Sequence, residues 1–280
     1  MSRLSAWLVR RASCLLALWA CLFPGMVWAA AGEAPRALQF GVLHQQSVLQ
    51  TAARWNPLLQ YLGRKTGLTL QPRMGATIAQ TDAMMGREEF DLAFTNHNFQ
   101  SEYDGRYRVI ARWSGPPVRG VIAVREDSPI RRLEDLQGAA LAFPSAEAFL
   151  GYAVTIQALK EVGVGVVERF AGHHHGALAQ LRAGLVEAVS VNSRFMEDYR
   201  DQERIAVRTV FVSAPYPDLP VIAHPRLPRE QVEAITRALL GMKDDPEGRV
   251  VLAQARCAGF DAATDQDYDD VRRIYRAIGQ

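Results

Sequence analysis

The chain has 280 residues, 32 Lys+Arg against 30 Asp+Glu, a net charge of +2 and 49% hydrophobic residues. This near-neutral balance, with aromatics not interleaved among basic clusters, argues against a nucleic-acid-binding protein. Of three cysteines, Cys14 and Cys21 lie in the first thirty residues, so Cys257 is left alone and a disulfide framework is excluded.

In chain order, Arg3, Arg10 and Arg11 precede the apolar run "ASCLLALWACLFPGMVW" and small residues at Ala29 and Ala30. This pattern predicts a secretion signal over residues 1–29 and a periplasmic protein. The segment "LWAC" makes a lipid anchor at Cys21 the alternative. Removal of residues 1–29 takes away three arginines and no acid, so 29 basic residues face 30 acidic ones and the remaining charge is −1. No later stretch is long and apolar enough to span a bilayer.

"ALQFGVL" (37–43) predicts a strand, followed by a helix with Leu49, Ala53, Leu58, Leu59 and Leu62 facing inward. "LTLQPR" and "FDLAFT" predict two more strands around the helix "IAQTDAMMG". "VIARW" and "VRGVIAVRE" follow as extended runs. Then come "GAALAF", the helix "AFLGYAVTIQALKEVG", "VVERFA", the helix "ALAQLRAG" and "VEAVSVN". Beyond about residue 225 strands are expected to stop and three helices to close the chain, with Cys257 a buried helical thiol.

The βα alternation predicts an α/β fold with two doubly wound parallel sheets and a ligand cleft between two lobes. Residues 30–122 and 211–280 are expected to form lobe 1, and 123–210 lobe 2. "RGVIAVRED" and "RTVFVSAP" are the predicted crossings between them. Neither a G-x-S-x-G elbow, an H-E-x-x-H pair nor a P-loop is present, so a binder is expected rather than an enzyme.

The segments "FGVLHQQSVLQTAARWNPLLQYLGRKTG", "REEFDLAFTN", "EDSPIRRLEDLQGAALAF", "GYAVTIQALKEVGV", "HHHGALAQLRAGLVEAVSVN" and "SAPYPDLPVIAHPRLP" occur in the order found in one family. Over residues 38–240 the chain resembles the PhnD-like periplasmic binding proteins for phosphate, phosphite and phosphonate. The resemblance implies the type II periplasmic-binding fold, a monomer without cofactor, and delivery of a small oxyanion-class ligand to an ABC transporter permease. It also implies that the loop after "AF" carries a Ser-Thr-Ser-Gly run holding the phosphonate oxygens at a helix start. Here Ala148, Phe149 and Leu150 stand at those hydroxyl positions, and Glu147 adds a negative charge. That departure argues against ordinary phosphonate as the ligand.

By the same resemblance the cleft residues are His44 and Gln45 after the first strand, Thr77, Asn96, His97 and Asn98 after the third strand, Ala148, Phe149, His174, Glu187 and Asn192. Three adjacent histidines, 173–175, diverge and suit one metal ion poorly. His44, His97 and His174 come from separate cleft loops; neutral they could ligate a metal, charged they could hold an oxyanion. Two further readings therefore stand beside transport: a periplasmic sensing partner of a histidine kinase, suggested by the divergent clamp, and a histidine-based metal-binding protein.

Overall fold

The structure is a computed structural model that describes residues 36–43, 48–203 and 206–280. The expected signal segment and Cys21 lie outside the described residues, as do His44 and Gln45.

Residues 37–280 form one compact unit built on two sheets. The strands are β1 (Leu38–Val42), β2 (Leu70–Arg73), β3 (Leu92–Phe94), β4 (Arg108–Trp113), β5 (Gly120–Arg125), β6 (Ala140–Phe143), β7 (Val167–Phe170), β8 (Ala188–Asn192), β9 (Val207–Val212), β10 (Pro220–Ala223) and β11 (Phe260–Asp261). The helices are α1 (Val48–Thr66), α2 (Ile78–Gly86), α3 (Val154–Glu161), α4 (His174–Arg182), α5 (Ser193–Glu203), α6 (Arg229–Leu240), α7 (Pro246–Gln254) and α8 (Asp269–Ile278). One sheet has the order β11-β4-β10-β3-β1-β2 and the other β7-β6-β8-β5-β9.

Neither sheet is wholly parallel, which corrects the expectation from the βα rhythm. Pairs β1–β2, β1–β3, β6–β7 and β6–β8 are parallel. One strand beside each crossing runs the other way: β10 is antiparallel to β3 and β4, and β5 to β8 and β9. A chain that leaves one sheet and returns later re-enters without a crossover helix, so it joins antiparallel. The expected changeovers at 122/123 and 210/211 fall inside β5 and β9, two strands that belong whole to the second sheet. The crossings proper are 114–119 and 213–219, tied by the bridge between Val118 and Tyr216.

Three other expectations give way. Strands do not stop at 225, because β11 pairs with β4 through Phe260 and Asp261. Cys257 is buried but follows the end of α7, where its thiol donates to the Gly259 carbonyl and burial pushes its pKa up to about 11. Leu49 is 80% exposed and Ala53 is exposed too. The buried stripe of α1 is Thr51, Trp55, Leu58, Leu59 and Leu62. At about 100° per residue Ala53 lies nearly half a turn from that stripe.

α1, α6 and α7 cover one face of the first sheet, where Trp55 packs between Phe40 and Phe94 at ring-centroid distances of 5.7 and 4.6 Å. The other face carries Met85, Phe90, Phe99 and Tyr107 together with Tyr268, Val271 and Tyr275 from the last helical segment. Phe149, Leu150, Ala153 and Val154, which follow β6 of the second sheet, join that same cluster. The two sheets are therefore held by shared apolar packing as well as by the crossings.

Trp55→Ala should cost about 3–5 kcal/mol, since it empties the centre of an aromatic cluster that cannot collapse fully. Urea unfolding should show a lower midpoint at an unchanged denaturant slope.

Candidate functional site

The loops that follow β3, β6, β7 and β8 converge at the carboxyl ends of their strands, the usual ligand position of open α/β sheets. Between them lies a cavity of about 70 Å³, whose lining includes Asn96, His97, Ser145, Phe149, His174 and Asn192. Asn96 and His97 come from the first sheet and the other four from the second, so the cavity lies between the two. Asn96 Nδ2 donates to the Glu147 carbonyl at 2.8 Å and ties the two walls together.

The wall from the second sheet is shaped by a π-helical turn, Phe149–Ala153, ahead of α3. Its widened backbone lets both Tyr152 N and Ala153 N donate to the Ala148 carbonyl, at 2.7 and 3.3 Å. Gly151 is required within this turn: a Cβ there would lie 2.8 Å from Pro144 Cγ and 3.3 Å from His174 Cε1. The turn aims Phe149 into the first sheet's aromatic cluster, where it is 1% exposed. Its ring lies 4.8 Å from His97, 5.0 Å from Tyr216 and 5.3 Å from Tyr275. A phenyl ring thus occupies a place where no hydroxyl is offered.

His97 is buried, and its Nε2 lies 2.7 Å from the Pro217 carbonyl; as that oxygen only accepts, Nε2 carries a proton. Its own carbonyl accepts from Tyr275 Oη at 2.5 Å. His97 therefore pins the β3 loop to a crossing, and burial holds its pKa below the usual imidazole value. The histidine triplet divides its labour. His173 caps α4, its Nδ1 accepting from Gly176 N at 2.9 Å. His174 stacks on Phe195 at 4.3 Å and 8°, and His175 stands edge-on to the same ring. Nδ1 of His174 is buried without a hydrogen bond, and burial, reinforced by His175 and His173, pushes its pKa down to about 3. His97 and His174 are thus neutral near pH 7 and cannot hold an anion by charge. Among the described residues no group of three or more His, Cys, Asp or Glu side chains could hold a metal ion.

The remaining expected site residues scatter. Ala148 and Asn192 line the cavity, and Asn192 Oδ1 accepts from Arg194 N at 2.9 Å. Asn98 turns away from it and takes a 2.7 Å hydrogen bond from Thr95 Oγ1. Thr77 is exposed as the N-cap of α2, accepting from Gln80 N. Glu187 precedes β8 at the end opposite Asn192, five residues or about 17 Å away along an extended strand. Its carboxylate accepts from Ala140 N at 2.7 Å, so it fastens the start of β6 and takes no part in the cleft.

Sequence reasoning passed over Phe195, the partner of His174, because α5 is polar and shows no long apolar period. It also passed over Asp82 on α2. This carboxylate is 3% exposed, its two oxygens make no hydrogen bond, and burial with Glu147 nearby raises its pKa to about 7.

The chain as a whole can be set against known proteins. Residues 40–268 match the family described as "ABC transporter, phosphonate, periplasmic substrate-binding protein". The chain belongs to that family. The phosphonates-binding periplasmic protein of Escherichia coli (strain K12) is 23% identical over 262 residues, covering 87% of this chain and 77% of the relative. Among solved structures, a binding protein component of an ABC phosphonate transporter from Pseudomonas aeruginosa superposes with a TM-score of 0.72 at 17% identity, covering 86% of this chain and 85% of that one. PhnD1 from Prochlorococcus marinus (MIT 9301), in complex with methylphosphonate, gives a TM-score of 0.75 at 14% identity over 87% and 98% of the two chains. The α/β architecture is that of the type II periplasmic binding proteins, and family members bind solutes for ABC transporters.

The two perturbed groups act on stability in opposite pH windows. His174 titrates near 6.5 when unfolded and near 3 when folded, so it contributes stability above pH 6.5 that is lost as pH falls toward 3. Asp82 titrates near 3.8 unfolded and near 7 folded, so its contribution is present below pH 3.8 and lost as pH rises through 7. Urea midpoints across this range should lose their acid-side decline in His174→Gln and their alkaline-side decline in Asp82→Asn.

Proposed function

We propose that the chain is synthesised with a cleavable signal over residues 1–29 and works in the periplasm as a monomeric solute-binding protein. It captures a small polar or anionic solute between its two lobes and delivers it to an ABC transporter permease. No cofactor or catalytic step enters this function. The observation that carries the reading is the cavity between the sheets. It is walled by loops from both, and among the described residues the chain passes between the halves at 114–119 and 213–219. A solute touching Asn96 on one side and Asn192 or His174 on the other stabilises the closed arrangement, because only that arrangement supplies both contacts.

The ligand is in the broad oxyanion class bound by the relatives, but its grip differs from a hydroxyl clamp. Ala148, Phe149 and Leu150 are all buried and offer no donor from their side chains. Burial also keeps His97 and His174 in the inner cavity neutral. Family relationship therefore supports solute capture more firmly than it supports plain phosphonate as cargo.

A thermal-shift panel on refolded, ligand-stripped protein should separate these points, using phosphate, phosphite, methylphosphonate, sulfate and small organic phosphonates and carboxylates. A ligand at a hundredfold excess over its Kd adds about 2.7 kcal/mol, a shift of several degrees. The expected result is a larger shift with an organic anion than with phosphite or methylphosphonate. Equal or stronger response to methylphosphonate would overturn the altered-grip reading, and silence throughout would overturn oxyanion capture.

A further inference from the structure

Next to the inner cavity, and sharing His175, Asn192, Phe195 and Leu219 with it, lies a second compartment of about 440 Å³. It is roughly six times larger, and its lining is electrically different. Arg54 of α1 and Arg256, just past α7, face it from the first sheet's side, with Trp113 beneath. The Arg54 guanidinium lies 4.9 Å from the Trp113 ring and donates through Nε to the Ala255 carbonyl at 2.5 Å and through an Nη to the Arg256 carbonyl at 3.4 Å. These contacts fix the planar group but leave its charge unneutralised. Among the described residues neither Arg54 nor Arg256 forms an ion pair.

The other charges around the compartment do not supply the missing anion. Asp218 is buried and already occupied: one oxygen accepts from Arg194 Nη2 at 2.5 Å and the other from Leu219 N at 2.8 Å. Asp198 is exposed and sits on α5 across the compartment, in the second sheet's layer. The two cations act on each other through space: burial and then Arg256 lower the pKa of Arg54. Guanidinium forks match an oxyanion by geometry as well as charge.

Resting on the solute-binding reading, we propose that Arg54 and Arg256 hold the head of an organic oxyanion in the outer compartment, with its body extending past Phe195 toward the neutral His174 wall. The cargo is then a carboxylate, phosphonate or phosphate ester with an organic substituent. Trp113 and the crossing residues Ser114 and Gly115 form the floor under the head group, so binding there is coupled to the crossing between the sheets.

The test is a titration of 15N-labelled protein with phenylphosphonate, methylphosphonate and benzoate to millimolar concentration. It follows the Trp113 indole N–H, the Arg54 Nε–H and the side-chain amides of Asn96 and Asn192. Saturable shifts at Trp113 and Arg54 are expected, strongest with an aromatic-substituted anion. Binding should weaken about tenfold in Arg256→Gln, the loss of one charge-assisted contact. Arg256 is exposed and unpaired, so this variant should keep the wild-type spectrum elsewhere. Arg237→Gln, on the exposed face of α6, should bind normally, and equal weakening there would reduce the effect to bulk charge and overturn the proposal. Saturable shifts confined to Asn96 and Asn192 would leave solute capture standing and overturn the arginine site. No saturable shift at any of the four positions would overturn both.

Discussion

The packing of Phe149 into the aromatic cluster of the first sheet sets the character of the whole cleft. The ring leaves the second sheet at the π-helical turn and is buried among His97, Tyr216 and Tyr275. Fully burying such a side chain stabilises by about 1.5–3 kcal/mol, and aromatic edge contacts add to this. The neighbours Leu150, Ala153 and Val154 extend the contact toward the last helical segment. Apolar contact of this kind needs no ligand, so the protein itself supports the approach of the two sheets. It also leaves no side-chain donor at that place.

Electrostatics then divide the region between the sheets in two. The inner cavity holds His97 and His174, kept neutral by burial, and amides tied to backbone partners. Those two rings can offer hydrogen bonds and a stacking face but no charge. The outer compartment holds two cations, Arg54 and Arg256, that form no ion pair among the described residues. Guanidiniums without a partner beside an aromatic floor suit an anion that arrives from solution. A solute with an anionic head and a less polar body fits this division, while a bare inorganic anion uses only half of it.

Much of the architecture was legible from particular residues. "IAQTDAMMG" coincides with α2, and the apolar runs over 37–43, 138–143 and 186–192 contain β1, β6 and β8. Other elements were hidden by their own chemistry. β10 begins at Pro220, which reads as a breaker, yet its neighbours on both sides pair with it antiparallel. α5 has a polar sequence in which, among the described side chains, Met196 and Tyr199 are the buried ones, one turn apart. Leu49 looked like part of an inward face but begins the helix outside the stripe that Thr51 and Trp55 establish. His174, Asn96 and Asn192, placed by the order of strands and loops, line the inner cavity. Glu187 was placed by the same order and lies at the wrong end of its strand.

The sequence by itself determined the alternation of strands and helices and the family to which the chain belongs. These depend on composition and on local spacing, which a linear reading captures. Tertiary structure alone decided that Phe149 would be a plug between the halves, that His97 would brace a crossing, and that Arg54 and Arg256 would face one compartment from positions 202 residues apart. Each of those outcomes depends on which surfaces meet when the two sheets pack, and burial and charge balance at such a meeting cannot be read along the chain.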